Sequence, residues 1–361
     1  MEFKYELVPE AERNPVIQDV LKVPFGKVFT DHMFVMHYRN GAWEQGAITK
    51  LAPLPVHPGS IVLHYGQELF EGAKCFKMKN GKFGLFRIDQ NIARLNNGCR
   101  KLKMPEVPAE VQDKAIRELI KVDQRHIPTQ DGCSLYIRPF IFGDEAGLGV
   151  RPSSSYTYCV LLCPVGAYYP EGFKPTKIYS DDIYARSADR GTGDVKCGGN
   201  YAASLGGGAL AHQHGCSQFL WLDGQHHKYV EEVGAMNVFF VKNGIAYTCP
   251  LNGTILPGIT RKSAIELLKD SGIEVREEAL AIDDVVASIQ NGTLTEIFGT
   301  GTAASVCPVS ELKFKETNCV LNKGTPLEGK IGPITQKLYD LIIGIQRGTV
   351  EDKKGWISYV E

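Results

Sequence analysis

The sequence predicts a two-domain protein of mixed class, α+β or α/β, and three observations carry that expectation. The chain has 361 residues, beyond the size at which a single hydrophobic core usually stops growing. Runs with the two-residue period of strands and the three- to four-residue period of helices both occur, in two blocks. Between the blocks lies Gly166-Ala167-Tyr168-Tyr169-Pro170-Glu171-Gly172-Phe173-Lys174-Pro175, whose glycines and prolines mark a linker. The boundaries drawn from this are a small first domain over 1–165, a linker over 166–176 and a larger second domain over 177–361.

In the first block, Phe70 to Met78, Lys82 to Arg87, Ser134 to Phe142 and Tyr156 to Val165 are apolar or alternating and read as strands. Asp89 to Met104 reads as a helix, with Ile92, Leu95, Cys99 and Leu102 on one face and Asp89 as its N-cap. A second helix runs from about Ala109 to Gln124, with Val111, Ala115, Leu119 and Val122 aligned. In the second block, Phe219 to Leu222, Ala235 to Val241 and Leu294 to Phe298 read as strands. Helices are expected over Thr260 to Lys269, closing at Gly272, over Asp283 to Gln290, and over Pro333 to Gln346.

Composition narrows the function classes. Hydrophobic residues make up 43% and charged residues 22%, and 40 basic against 41 acidic side chains leave a net charge of −1. That balance argues against nucleic acid or an anionic membrane as partner. No apolar run approaches the ~20 residues of a membrane helix. Ten cysteines without a CxxC pair read as reduced thiols, and the acidic N-terminus lacks a secretory h-region, so a cytoplasmic enzyme or binding protein is expected.

Five local signals bear on chemistry. In Gly193-Asp194-Val195-Lys196-Cys197-Gly198-Gly199-Asn200-Tyr201 a lysine sits among glycines. Most such lysines are solvated, but one shielded from water loses basicity and can attack a carbonyl carbon. Phe298-Gly299-Thr300-Gly301-Thr302-Ala303-Ala304 follows a strand and offers a backbone nest for phosphate, although Gly/Thr turns are common there. Leu256-Pro257-Gly258-Ile259-Thr260-Arg261 opens a helix, whose N-terminal amides favour an anion. Glu231-Glu232 precedes an apolar run; it is either a solvated strand end or a buried carboxylate for a protonated ring nitrogen. Arg138, in Tyr136-Ile137-Arg138-Pro139, needs an anionic partner if buried, and a substrate carboxylate would serve. Together these are the parts needed to hold pyridoxal 5′-phosphate and an amino acid.

On these motifs the chain closely resembles the branched-chain amino acid aminotransferases of fold-type IV. The likeness runs from Phe25-Gly26-Lys27-Val28-Phe29-Thr30-Asp31 to the last helix. It includes His64-Tyr65-Gly66-Gln67-Glu68-Leu69-Phe70-Glu71-Gly72, Tyr136-Ile137-Arg138-Pro139 and Cys163-Pro164-Val165-Gly166-Ala167-Tyr168. Glu232-Val233-Gly234, Leu256-Pro257-Gly258 and Gly299-Thr300-Gly301-Thr302 complete it. The resemblance implies a two-domain fold-type IV architecture with the cofactor at the domain interface and the second domain supplying most of its contacts. It also implies a homodimer and no metal.

By the same resemblance, Lys196 forms an aldimine with pyridoxal 5′-phosphate and shuttles a proton in a ping-pong reaction. Tyr201 bonds the cofactor's phenolate oxygen, and Glu232 its pyridine nitrogen. Arg94, Ile259, Thr260 and Thr302 hold the phosphate. Phe25, Tyr65, Phe70, Tyr136, Tyr168 and Ala303 line the side-chain pocket, and Arg138 binds the distal carboxylate of glutamate. Leu148 and Val150 reach toward the partner subunit's site. Leucine, isoleucine or valine and their 2-oxo acids then exchange an amino group with 2-oxoglutarate and glutamate. Ala235 stands where many members carry threonine, and Ala304 with Cys307 replaces the CxxC of mammalian relatives, which implies altered tuning and no thiol switch of that form. Related folds acting on D-amino acids or aminodeoxychorismate are the nearest alternatives. A metal-binding protein using His212, His214, Cys216, His226 and His227 is a more distant one, because those spacings match no standard zinc pattern.

Overall fold

The computed structural model describes residues 1–166 and 173–360, so Tyr168 lies outside the described residues. The described chain divides into two units. One comprises Met1–Tyr168, Val195–Gly198 and Gly344–Glu361; the other comprises Tyr169–Asp194 and Gly199–Ile343. The boundaries read from sequence assumed continuous domains. The division is discontinuous because Val195 and Cys197 are buried in the first unit's core and Ile357–Tyr359 pairs with Phe83–Phe86.

The first unit is built on its two longest apolar runs. Ser134–Gly143 and Tyr156–Val165 are rich in aromatic and β-branched residues and pair antiparallel, in register from Ser134↔Val165 to Gly143↔Tyr156. Around them a sheet runs in the order Lys4–Glu6, Ala47–Lys50, His32–Arg39, Tyr156–Val165, Ser134–Gly143, Ala73–Lys77, Phe83–Phe86, Ile357–Tyr359. Strand alternation sends successive side chains to opposite faces. Leu135 and Ile137 join the core with Leu95, Cys99, Ala115 and Leu119 from the helices Ile88–Lys101 and Ala109–Val122. Tyr136 packs instead with Phe25, Cys163 and Val165. The helix starts one residue before Asp89, and its N-cap is Arg87 in the left-handed region rather than Asp89. The strand expected over Phe70 to Met78 is broken into Glu68–Phe70 and Ala73–Lys77, and Glu71-Gly72 turns the chain between them.

In the second unit the strands Val230–Val233, Gln218–Leu222, Thr176–Ser180, Ser305–Phe314, Leu294–Gly301 and Met236–Lys242 are neighbours in that order. Val230–Val233 also pairs with Met236–Lys242, which closes the six into a ring. Ile245–Thr248 and Val275–Glu277 extend it outward. The helices Ile259–Asp270, Ile282–Gln290 and Pro333–Arg347 fall within a residue or so of their expected bounds. The helix Gly198–Gln213 was not foreseen, since five of its sixteen residues are glycine. Packing requires two of them: a Cβ at Gly207 would come within 2.5 Å of the Trp221 ring, and one at Gly206 within 2.7 Å of Tyr184. Among the described residues no helix is long and apolar enough to cross a membrane.

Candidate active site

In the first unit, Lys196 lies on a short segment gripped by the core. Val195 and Cys197 are buried on either side of it, and its carbonyl accepts the Phe70 N–H at 3.0 Å. Its side chain therefore takes the direction opposite to its neighbours', and the amine comes to rest 4.8 Å from the centre of the Phe70 ring. The residue is half-buried as a whole, but protein surrounds the amine. Burial lowers its pKa from 10.5 to about 8, and Arg94 and Arg138 push the same way against Glu71 and Tyr136. An amine so shifted carries a substantial neutral fraction slightly above neutrality, far more than an ordinary lysine, and that fraction is available as a nucleophile or base.

Arg94 projects from the helix Ile88–Lys101 and forks onto Glu71, with Nε donating to Oε1 at 2.7 Å and Nη2 to Oε2 at 2.9 Å. Glu71 also accepts from Asn91 Nδ2 at 2.7 Å and from the Gly72 N–H at 3.1 Å. Burial alone would raise its carboxyl pKa, but Arg94, with help from Lys196 and Asn91, holds it below the usual range. Glu71 and Asn91 were not identified from sequence. The available signal was a carboxylate and a glycine interrupting an apolar run.

Three of the residues expected in the side-chain pocket, Phe25, Phe70 and Tyr136, lie around Arg138 in the first unit. Phe25 meets Tyr136 edge-on with ring centres 5.1 Å apart. A Cβ at Gly72 would fall 2.1 Å from the Tyr136 hydroxyl oxygen, so glycine there makes room for it. Arg138 Nη2 donates to that oxygen at 3.1 Å, and the guanidinium lies over the Phe70 ring at 4.7 Å. Arg138 Nε is buried and finds no acceptor among the described residues. Tyr65 donates its hydroxyl proton to the Leu148 carbonyl, and Leu148 and Val150 are 69% and 84% exposed.

The second unit presents a different set. Glu232 is buried, not a solvated strand end. Its Oε1 accepts from Asn237 Nδ2 at 2.8 Å, and its Oε2 lies 2.9 Å from Arg186 Nε. Register aligns Glu232 with Asn237 and Asn237 with Thr300, which sets a carboxylate, an amide and a hydroxyl side by side across three strands. The Thr300 hydroxyl is buried without a partner among the described residues. Asn237 also donates to the Leu256 carbonyl at 2.8 Å, which ties the Glu232 strand to the segment that opens the helix Ile259–Asp270. Gly258 is that helix's N-cap and supplies no side-chain cap. The buried Ile259 and Thr260 thus begin a helix whose first amides have no intrahelical partner.

One sequence expectation is corrected. Gly299, Thr300 and Gly301 belong to the strand Leu294–Gly301, paired with Ser305–Phe314, and do not form a loop nest; the turn is Thr302-Ala303-Ala304. Tyr201 stands in the first turn of the helix Gly198–Gln213, partly accessible. Arg186 and Asn237 were missed in the sequence: Asn237 meets Glu232 through strand register, and Arg186 reaches it from a loop distant in sequence. Of the residues considered as metal ligands, His214 stacks on Tyr179 at 4.0 Å and Cys216 is buried in the core beside it.

Comparison with known proteins adds the following. The model of the class IV amino-transferase family matches residues 68–312. Branched-chain-amino-acid transaminase 1 of Bacillus subtilis (strain 168) is 46% identical over 340 residues, covering 94% of each chain. The branched-chain-amino-acid aminotransferase of Mycolicibacterium smegmatis is 42% identical over 364 residues, covering 98% of each. Among solved structures, the Escherichia coli branched-chain amino acid aminotransferase superposes with a TM-score of 0.76 at 29% identity, covering 92% of this chain and 99% of that one. A second solved branched-chain amino acid aminotransferase, complexed with N-(5′-phosphopyridoxyl)-L-glutamate, gives 0.74 at 27%, covering 92% and 100%.

Proposed function

The chain belongs to the class IV aminotransferases, the branched-chain amino acid enzymes among them, and from that premise we propose that it moves the amino group of leucine, isoleucine or valine reversibly to 2-oxoglutarate. The observation that carries the reading is Lys196: a buried amine with its pKa lowered to about 8, braced by Phe70 and flanked by the Arg94–Glu71 pair.

The residues present fit pyridoxal 5′-phosphate, the cofactor we infer. The uncapped helix start at Ile259 and Thr260 and the unsatisfied Thr300 hydroxyl suit a phosphate, and buried Glu232 suits a protonated ring nitrogen. When bound, this group supplies an aldehyde for an amine and a ring that disperses the negative charge left at the substrate Cα. Lys196 Nζ would be the amine that holds this group, and the same nitrogen would serve as the base that takes and returns the substrate Cα proton. Arg94, Ile259, Thr260 and Thr302 hold the phosphate, Tyr201 the phenolate oxygen and Glu232 the ring nitrogen.

Phe25, Tyr65, Phe70, Tyr136, Tyr168 and Ala303 accept the branched side chain. Arg138, with Nε still lacking an acceptor, binds the distal carboxylate of 2-oxoglutarate or glutamate. Exposed Leu148 and Val150 are assigned to a second copy of the chain, toward whose site they extend. We place the enzyme in the cytoplasm.

A substrate panel tests this. Leucine, isoleucine and valine should react with 2-oxoglutarate in ping-pong fashion, and D-alanine and aminodeoxychorismate should not. Lys196→Ala should lose at least about a thousandfold in kcat. Turnover of D-alanine in preference to leucine, or an active Lys196→Ala protein, would overturn the assignment.

A further inference from the structure

The strand Glu68–Phe70 touches the Lys196 segment at two points two residues apart. The Phe70 N–H donates to the Lys196 carbonyl at 3.0 Å, and the Glu68 Oε1 accepts the Gly198 N–H. The contact to Gly198 depends on glycine, because a Cβ there would lie 2.4 Å from Glu68 Oε1. A third wall comes from the helix Ile88–Lys101: a Cβ at Gly98 would meet Leu69 Cδ2 at 2.9 Å and Val195 Cγ1 at 3.3 Å. Residues 195 to 198 are therefore held by a backbone bond, a carboxylate and a close helix contact.

We propose that Glu68 is a positioning residue for Lys196, anchoring the chain just beyond the lysine through the Gly198 amide; this rests on the reading of Lys196 as the reactive amine. Gly198 is the first residue of its helix, so its N–H has no intrahelical acceptor and sits at the positive end of the dipole. A carboxylate is the strongest acceptor a side chain can bring there. The Phe70 N–H holds the chain at the Lys196 carbonyl, and the Glu68 carboxylate holds it again two residues on. The direction of Nζ toward the Phe70 ring then follows from two fixed backbone points. Burial raises the Glu68 carboxyl pKa, while the Gly198 N–H and the nearby Arg138 favour the charged form that the bond requires. Glu68 touches neither cofactor nor substrate in this role; it acts through Lys196.

The test compares Glu68→Leu, which removes the acceptor, with Glu68→Gln, which keeps an oxygen in its place. In the cofactor-loaded full chain, Glu68→Leu should lower kcat for leucine about tenfold to a hundredfold, as small misplacement of a reacting group does. KM for leucine should stay within about threefold, and Cα-deuterated leucine should show a larger isotope effect than in the wild type. Hydrogen exchange of the full-length protein should speed up in peptides covering residues 196–200 and not across the rest of the first unit. Glu68→Gln should recover kcat to within about threefold of the wild type. An unchanged kcat in Glu68→Leu, equal losses in both variants, or faster exchange spread over the whole unit would overturn the proposal. Failure of the underlying reading looks different: wild-type protein that does not transaminate leucine, or a Lys196→Ala protein that does.

Discussion

Each unit buries one arginine against one glutamate beside residues assigned to the cofactor, and the two pairs are built differently. Arg94 clasps Glu71 with two nitrogens on two oxygens, and Asn91 and the Gly72 amide complete the carboxylate's shell. Arg186 meets Glu232 through Nε at one oxygen, while its Nη1 turns to the carbonyls of Thr254 and Gly193 at 3.2 and 3.4 Å. Asn237 holds the other Glu232 oxygen. A forked pair fixes both partners and keeps the acid ionised. Glu232 is oriented by an amide at one oxygen and a guanidinium nitrogen at the other, with no two-nitrogen fork from the arginine. The difference matches the proposed roles: Glu71 serves as a permanent counter-ion for Arg94 and Lys196, whereas Glu232 must receive a ring nitrogen.

The comparison breaks most visibly at Arg94. Arg94→Leu leaves Glu71 buried with its main partner gone, and loss of one member of a buried pair costs about 3–5 kcal/mol. Urea unfolding of the cofactor-free protein should show that loss, and cofactor affinity should fall with it. A cost below about 1 kcal/mol would mean that the fork is not what holds the Glu71 turn.

Arg186→Leu should cost less, about 1–3 kcal/mol, because Asn237 still donates to Glu232 and Arg186 approaches it through Nε rather than as a fork. Its clearer effect should be on the cofactor, with weaker binding measured by fluorescence titration, since Glu232 loses its lateral support. If the two arginine variants prove equally destabilising, the contrast between forked and unforked contact does not hold.

Much of this was legible in the sequence, for reasons that differ by residue. The glycine-flanked lysine, the helix start at Leu256-Pro257-Gly258 and the arginine within an apolar strand each express their chemistry in local residue types. Arg94 does not, because on a helix it looks like any surface charge, and only the family resemblance singled it out. Glu71, Asn91, Arg186 and Asn237 were illegible because their partners are fixed by strand register, helix placement or, for Arg186, the path of a loop. Glu71 and Arg94 stand 23 residues apart. The helix Gly198–Gln213 was hidden by glycines that ordinarily disfavour helices. Packing of Gly206 and Gly207 against aromatic rings outweighs that propensity.

The smallest effect probes the electrostatics between the two features that the first unit brings together, Lys196 and the Arg94–Glu71 pair. Lys196 has a folded pKa of about 8 against an ordinary value of 10.5, so between these values the unfolded chain binds a proton that the folded one does not. Its contribution to stability is therefore least favourable below about pH 8 and improves as pH rises toward the ordinary value. Lys196→Met keeps the apolar stem and removes the charge. In the cofactor-free protein it should raise the melting temperature at pH 7 by about one to three degrees. That gain should shrink steadily as pH increases from about 8 to 10.5. A gain independent of pH would show that the methionine merely packs better. A loss confined to pH below about 8 would show that Glu71 needs the Lys196 charge as well as that of Arg94, so that the forked pair is one part of a three-membered cluster.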